Sequence, residues 1–318
     1  MTELVLTGLE GRNPLGFLAA LGTLRVVADA TKQRGSEPRL YWKSVGTFRP
    51  VLVADIERDA LVDLLAADAA SFEEEPAILL EYRKGEGKVA RDLKPPPGGF
   101  STYLRSLVED YLRSGATGVA RSLALAAAFA TDVATDNNGN TKPTALHFTA
   151  GQQEFLGMVR ALQRDVQRVD FEEALFGPWR YARSLPVLQW DNSRAVDYAL
   201  RAGDPSKEKK QGVPGADWLA LRGLAFLPVA PRGDRVATTG CRGGWKTGAF
   251  RWPMWTSGIG CRVVSSLLTS PELFEVNPAV LRARGIPLVF EVSIGRSDQG
   301  GYGSFSPAGV ARSADPAV

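Results

Sequence analysis

Few residues in this sequence are of the types that most often carry catalysis or bind a metal. The 318 residues include one histidine and two cysteines, too few for a histidine-rich metal site or a disulfide framework. A nucleophilic triad needs a base, and His147 lies between Leu146 and Phe148 in an apolar run. We therefore predict a packed histidine, no metal or other cofactor, and no catalytic residues.

Two further catalytic possibilities depend on glycines and on carboxylates. Residues 240–247 (GCRGGWKT) approach the phosphate-binding P-loop pattern, but Trp245 stands where that pattern requires its second glycine. An indole there would block the approach of the backbone to phosphate, which argues against nucleotide hydrolysis. A carboxylate-dependent metal nuclease stays open as an alternative, provided that Asp132, Asp136 and Asp191 come together in space.

Basic, aromatic and amide residues are interleaved in loop-forming parts of the sequence. Lysine and arginine neutralise phosphates, indoles stack on unpaired bases, and amides contact base edges. We therefore expect a protein that binds nucleic acid and is not an enzyme. The predicted binding residues are Lys207, Lys209, Lys210, Arg232, Arg235, Arg242, Trp245, Lys246, Arg251, Asn137, Asn138, Asn140 and Gln299.

The formal charge is distributed unevenly along the chain. The net charge of the whole chain is only +3. Residues 1–150 contain 17 Lys and Arg against 19 Asp and Glu, whereas residues 151–318 contain 21 against 16, so the two parts carry −2 and +5. Within residues 201–251, ten basic residues face four acidic ones. This block is where we expect a phosphate backbone to bind.

The elements that must position these residues indicate an α+β protein. Short strands and helices alternate in the first part of the chain, a helical segment follows over residues 100–129, and the remainder is loop-rich with strand-like runs at 219–229 and 286–294. We predict an N-terminal mixed α/β domain over residues 1–135. A basic, loop-rich α+β domain is predicted over residues 136–318.

An apolar helix is predicted near the start of the chain. Asn13-Pro14 is an N-cap followed by proline at the first helical position, and the helix should run from Pro14 to about Lys32. Its small residues, which include Gly16 and Gly22, would allow another backbone to approach closely. Glycines, Thr23 and Arg25 interrupt its apolar stretch, so we expect a packing helix of a cytoplasmic protein and no membrane span.

Three segments resemble a family of CRISPR-associated proteins of the type I-G systems, formerly called I-U. Residues 6–25 (LTGLEGRNPLGFLAALGTLR) resemble the strand and helix with which members of that family begin. Residues 143–156 (PTALHFTAGQQEFL) and 213–223 (VPGADWLALRG) are also similar to it. The resemblance thus touches both parts of the chain.

The resemblance implies a large subunit, comparable to the Cas-eight proteins, of a multisubunit Cascade built around a guide RNA. Such a subunit would recognise the protospacer-adjacent motif of target double-stranded DNA, stabilise the R-loop and help recruit the helicase-nuclease for antiviral defence. Its partners would be the other Cascade subunits, the guide RNA and the target. The alternative is a structural assembly subunit that mainly contacts other Cas proteins and the guide RNA.

Overall fold

A computed structural model gives the fold of this chain. The structure describes residues 1–32, 35–85, 87–114, 117–149, 151–194, 211–275, 277–296 and 302–314. Helices and strands are both well represented in these ranges, which confirms the α+β class.

Ten helices occur in the described residues: α1 (Pro14–Thr31), α2 (Arg58–Ala70), α3 (Gly99–Ser114), α4 (Thr117–Phe129), α5 (Phe155–Asp165), α6 (Arg168–Phe176), α7 (Pro214–Gly223), α8 (Cys261–Leu268), α9 (Glu272–Glu275) and α10 (Pro278–Ala283). The strands in the same ranges are β1 (Thr2–Val5), β2 (Arg39–Val45), β3 (Thr47–Ala54), β4 (Tyr82–Lys84), β5 (Lys88–Ala90), β6 (Ala130–Thr135), β7 (Thr141–Pro143), β8 (Val229–Arg232), β9 (Arg235–Thr238), β10 (Cys241–Gly243), β11 (Gly248–Met254), β12 (Leu288–Arg296), β13 (Gly303–Phe305) and β14 (Gly309–Ser313).

Helix α1 lies at the centre of the core and crosses α7 at close range. The Asn13 side chain accepts a hydrogen bond from Leu15 N at 2.9 Å, which confirms the predicted N-cap. A Cβ on Gly22 would lie 1.8 Å from the carbonyl oxygen of Leu219, and one on Gly223 would lie 2.2 Å from that of Leu18. Only glycine at these two positions lets the helix backbones touch, as the small residues of α1 predicted.

Two antiparallel sheets share the core with these helices. The first has three strands in the order β1-β3-β2, and in the second β11 and β12 are central, with β10 at one edge and β13 and β14 both paired with β12 at the other. Trp42 N donates to Trp255 O at 2.8 Å, which joins the region of the first sheet to the end of β11. The Phe17 ring of α1 packs against Trp42, Trp252 and Trp255 at centroid distances of 5.8 to 6.3 Å.

One local expectation from the sequence is wrong. Residues 219–229 were expected to be strand-like, but they contain the end of α7 and a 3-10 turn at Leu224–Phe226, and only Val229 begins a strand. Every residue of α7 is buried, so its sequence lacks the polar face that reveals a helix. The predicted domain boundary at residues 135 and 136 falls at the tip of the β6–β7 hairpin, and the buried core contains residues from both sides of it.

Helix α1 also bears on the question of a membrane. Within the described residues it is the one helix long and apolar enough to cross a bilayer by length and composition, and 72% of that stretch is buried inside the protein. Its apolar side chains already contact the core. This packing is compatible with a soluble protein.

Candidate nucleic-acid interface

Three antiparallel hairpins, β6–β7, β8–β9 and β10–β11, surround an open cleft of about 1740 Å³. The turn of β8–β9 is the two-residue loop Gly233-Asp234, and Gly233 has a φ of +61°, as the tight hairpin turns that match strand twist require. Hydrogen bonds join the first two hairpins: Ala145 N donates to Thr238 Oγ1 at 2.8 Å, and Lys142 Nζ donates to Asp234 O at 2.7 Å. The hairpins therefore form one continuous lining.

Basic side chains outnumber acidic ones in this lining. The lining contains five basic residues, Lys94, Lys142, Arg232, Arg235 and Arg242, and two acidic residues, Asp136 and Asp234.

The ion pairs of these arginines are weak or exposed. Arg235 lies 3.9 Å from Asp234, and both side chains are mostly exposed. Arg242 donates to Glu291 at 2.9 Å, yet about half of its side chain remains exposed. Exposed pairs of this kind contribute little to stability. The arginines are therefore accessible to an anionic ligand.

Trp245 lies in the β10–β11 turn at the edge of the cleft, and 43% of its surface is exposed. The Arg296 guanidinium carbon lies 3.6 Å from the centre of the Trp245 ring, and Lys94 Nζ lies 5.9 Å from it. Arg296 donates to three carbonyl oxygens, those of Trp245, His147 and Ala145, at 2.7 to 3.0 Å. One arginine thus ties the β10–β11 turn to the segment after β7.

Burial affects the two cations next to Trp245. It lowers the pKa of Arg296 to about 10, a value at which the guanidinium is still charged at neutral pH. Burial also lowers the pKa of Lys94, and the neighbouring charge of Arg296 acts in the same direction. The charge of Asp92 opposes both effects on Lys94.

Arg251 was predicted to bind nucleic acid, but its position on β11 does not favour this. Its side chain is only 3% exposed, pairs with Glu291 and donates to Phe274 O at 3.2 Å. Its neighbours in the strand, Phe250 and Trp252, are buried as well, so both faces of β11 are covered at this point. We therefore exclude Arg251 from the candidate interface.

The remaining predicted residues are placed as follows. Lys207, Lys209, Lys210 and Gln299 lie outside the described residues. Lys246 is exposed in the same turn as Trp245. Asn137 and Asn138 are exposed at the tip of the β6–β7 hairpin, whereas the Asn140 amide donates to Asp136 Oδ2 at 3.1 Å and closes that turn.

His147 is fully buried beneath the cleft, as expected for a packed histidine. Its Nε2 lies 2.8 Å from Asp92 Oδ1 and 3.0 Å from Thr149 Oγ1. Burial lowers the pKa of His147, which favours the neutral ring, and the contact with His147 holds the pKa of Asp92 at about 2. With no exposed surface, the imidazole has no access to a substrate.

The three carboxylates of the nuclease alternative are engaged separately. Asp132 accepts a hydrogen bond from Ser101, and Asp136 holds its own turn. Asp191 accepts from Asn13 at 2.8 Å. Across the parts of the chain that the structure describes, no group of three or more His, Cys, Asp or Glu side chains could hold a metal ion.

Three basic residues of the interface were missed at the level of sequence: Lys94, Lys142 and Arg296. Lys94 reaches the cleft because Thr141 N donates to Pro95 O at 3.0 Å, which brings a segment from before α3 to the β6–β7 hairpin. No local pattern signals such a contact between distant segments. In the sequence, the only feature that links these three residues to a nucleic-acid interface is their positive charge.

No protein-family model matches this chain, and no curated protein matches it. A functional assignment therefore depends on the geometry and charge of the cleft and on the resemblance of its three sequence segments.

Proposed function

We propose that this chain binds nucleic acid through the cleft between its three hairpins, without catalysis of its own. The observation that carries the proposal is the excess of basic side chains in the lining, five against two acidic ones. Accessible guanidinium and ammonium groups in a groove attract a phosphate backbone and release its counterions. The exposed turns of β8–β9 and β10–β11 would contact the backbone first.

The size of the cleft supports a polymeric ligand. Sites for small molecules usually enclose roughly 300 to 1,000 Å³, and this cleft is larger, at about 1740 Å³. It is also open to the surface along its hairpins, so a chain could enter and leave without being threaded. An extended strand suits these dimensions better than a compact metabolite.

We place this binding activity in the large subunit of a CRISPR type I effector complex. The support is the resemblance of residues 6–25, 143–156 and 213–223 to the type I-G family. In this role the cytoplasmic protein would join other Cascade subunits and a guide RNA. It would recognise the adjacent motif of target double-stranded DNA, stabilise the R-loop and help recruit the helicase-nuclease.

A structural assembly subunit is the second candidate function, and one surface favours it. Val108, Tyr111 and Leu112 are all exposed on α3. Their spacing of three and four residues puts them on one face of the helix. An exposed apolar stripe of this kind marks a contact surface for another protein. A chain that assembles with partner subunits but has no affinity for nucleic acid would fit this candidate.

The cleft proposal is tested by exchanging its charges. Arg232 and Arg235 are changed to Glu and Arg242 to Gln, which avoids placing a new carboxylate beside Glu291. The matched control carries the same changes at Arg105, Arg113 and Arg180, which are exposed outside the cleft. Affinity for fluorescent oligonucleotides is measured by anisotropy over a series of salt concentrations.

The cleft variant and the control should differ clearly in the salt dependence of their affinity. Each phosphate contact contributes about 0.7 to 0.9 to the slope of log affinity against log salt concentration. Loss of three contacts should reduce the magnitude of this slope by about 2 to 3 in the cleft variant and leave it unchanged in the control. Equal slopes for the cleft variant, the control and the unmodified protein would refute binding through this cleft.

The effector role needs a separate test. The tagged chain is co-purified with the products of its neighbouring genes and a guide RNA, and target duplexes with intact or scrambled flanking motifs are then added. We expect binding that depends on the flank and disappears when this subunit is omitted. Flank-dependent binding that persists without the subunit would exclude the large-subunit role.

A further inference from the structure

The Trp245 indole is held in one position at the edge of the cleft. One face of the indole is covered by the Arg296 guanidinium at 3.6 Å. The hydrogen bond from Arg296 Nε to Trp245 O, at 3.0 Å, fixes the backbone of the same residue. The residue is still 43% exposed, so part of the indole remains accessible from the cleft.

The position of Arg296 is itself rigid. Its other two donors bind His147 O at 2.8 Å and Ala145 O at 2.7 Å, both in the segment that follows β7. Its guanidinium also lies 5.4 Å from the ring of Phe148, which is fully buried. Arg296, which packs against the indole, is therefore anchored in the core. Little conformational entropy is lost when a ligand packs against the indole.

The surroundings of the indole match the two parts of a nucleotide. Lys94 Nζ lies 5.9 Å from the ring centre, and Lys246 follows Trp245 directly in the same exposed turn. Apolar residues, including Pro228, Val229 and Ile294, line the cleft behind them. A flat aromatic surface with cations beside it can take a base on the ring and its phosphate on the cations.

We infer that the ligand of the cleft is single-stranded nucleic acid, with one unpaired base stacked on the exposed part of the Trp245 ring. This inference rests on the proposed function and specifies its substrate class. In a duplex the face of each base is covered by its neighbours, so an indole can stack only on a base that is unpaired and unstacked. Stacking does not distinguish between the four bases, so little sequence preference is expected at this position.

The test compares strands with and without bases. Wild-type protein is titrated with a single-stranded DNA oligonucleotide, an abasic oligonucleotide of equal length and the corresponding duplex. The variants are Trp245→Ala, which removes the ring, Trp245→Leu, which keeps an apolar side chain without a flat face, and Trp245→Phe, which keeps an aromatic ring. Salt dependence is recorded for each protein.

Wild type should bind the normal strand more tightly than the abasic strand. Trp245→Ala and Trp245→Leu should lose about five- to 150-fold of affinity for the normal strand, and Trp245→Phe should recover most of it. Affinity for the abasic strand, and the slope against salt, should be the same for all four proteins. That equality shows that the basic cleft is intact in the variants.

The experiment distinguishes failure of base stacking from failure of the proposed function. Equal affinity of wild type for normal and abasic strands, with a steep salt slope, would overturn base stacking and leave phosphate binding in the cleft standing. Tighter binding of the duplex than of the single strand, unaffected by Trp245→Ala, would also overturn the inference. Absence of binding to any of the three oligonucleotides would overturn the proposed function itself.

Discussion

Asp217 should make the stability of this protein depend on pH in a direction unusual for a carboxylate. It is fully buried on α7, its Oδ1 accepts a hydrogen bond from Leu188 N at 3.1 Å, and its Oδ2 has no hydrogen-bond partner among the residues that the structure describes. Burial raises the pKa of Asp217 to about 8, and the neighbouring charge of Asp191 acts in the same direction. The folded protein therefore holds a proton on Asp217 at neutral pH, whereas the unfolded chain does not.

The sign and the magnitude follow from this difference. A group whose pKa is raised in the folded state contributes stability at low pH that is lost as the pH rises through the folded value. With an ordinary value of 3.8 and a folded value of about 8, the total loss is about 6 kcal/mol at about 1.4 kcal/mol per pH unit. Between pH 6.5 and 8 the integrated loss is about 1.6 kcal/mol, less than the roughly 2 kcal/mol of a constant slope, because the slope flattens near the folded pKa.

The pH window is chosen to exclude other groups. Burial lowers the pKa of His147 in the folded protein, so this histidine adds an opposite slope that becomes small above about pH 6.5 and is the same in wild type and both variants. Burial raises the pKa of the Cys241 and Cys261 thiols, so these thiols titrate in the unfolded chain above about pH 8. Measurements from pH 6.5 to 8 therefore report mainly on Asp217.

The assay is urea denaturation at four pH values across this window for wild type and two variants. In Asp217→Asn the amide oxygen can still accept from Leu188 N, and nothing at this position titrates. Asp59→Asn, at a side chain that is 82% exposed, controls for the loss of a carboxylate. The decline of about 1.6 kcal/mol should be present in wild type and Asp59→Asn and absent in Asp217→Asn. A decline of the same size in Asp217→Asn would refute the assignment.

Three further substitutions test the packing that positions the cleft, each by urea denaturation. Gly22→Ala places a Cβ against Leu219 O and should destabilise the fold by several kcal/mol, about as much as an overpacked core; an effect below about 0.5 kcal/mol would contradict the close crossing of α1 and α7. Asn13→Ala removes an N-cap and should cost about 1 kcal/mol, and no loss of stability would show that the cap is dispensable. Arg222→Ala removes a buried guanidinium that pairs with Asp29 and Asp68 and should cost about 3 kcal/mol, although these carboxylates keep Arg25, Lys32 and Arg121 as neighbours. Arg105→Ala on the surface should cost less than about 0.5 kcal/mol, and equal effects would contradict a stabilising role for the buried guanidinium.

The sequence was most informative where a local rule decides the structure. Asn13-Pro14 predicted the start of α1, and the small residues of that helix predicted its close contact. The sequence did not reveal α7 as a helix, because a helix that is buried on all sides has no separate apolar and polar faces. The apolar run that begins at Leu219 therefore resembles a strand.

The candidate interface was predictable only in part. Two hairpins that are close in sequence contain Arg232, Arg235, Arg242 and Trp245. These residues are therefore near one another in the sequence, and all four line the cleft in the structure. Burial of Arg251 depends on its pairing with Glu291 across β11 and β12. Charge alone cannot distinguish Arg242, which is about half exposed, from Arg251, which is buried, although both pair with Glu291.

Ultraviolet cross-linking tests the central claim, binding of nucleic acid in the cleft, most directly. An oligonucleotide is cross-linked to the protein, the complex is digested, and the modified peptides are identified by mass spectrometry. Cross-links should concentrate in residues 136–145 and 228–248, which contain most of the cleft lining, and should disappear in the charge-exchanged cleft variant. Cross-links confined to other surfaces, such as α3, and unchanged in that variant would contradict the claim.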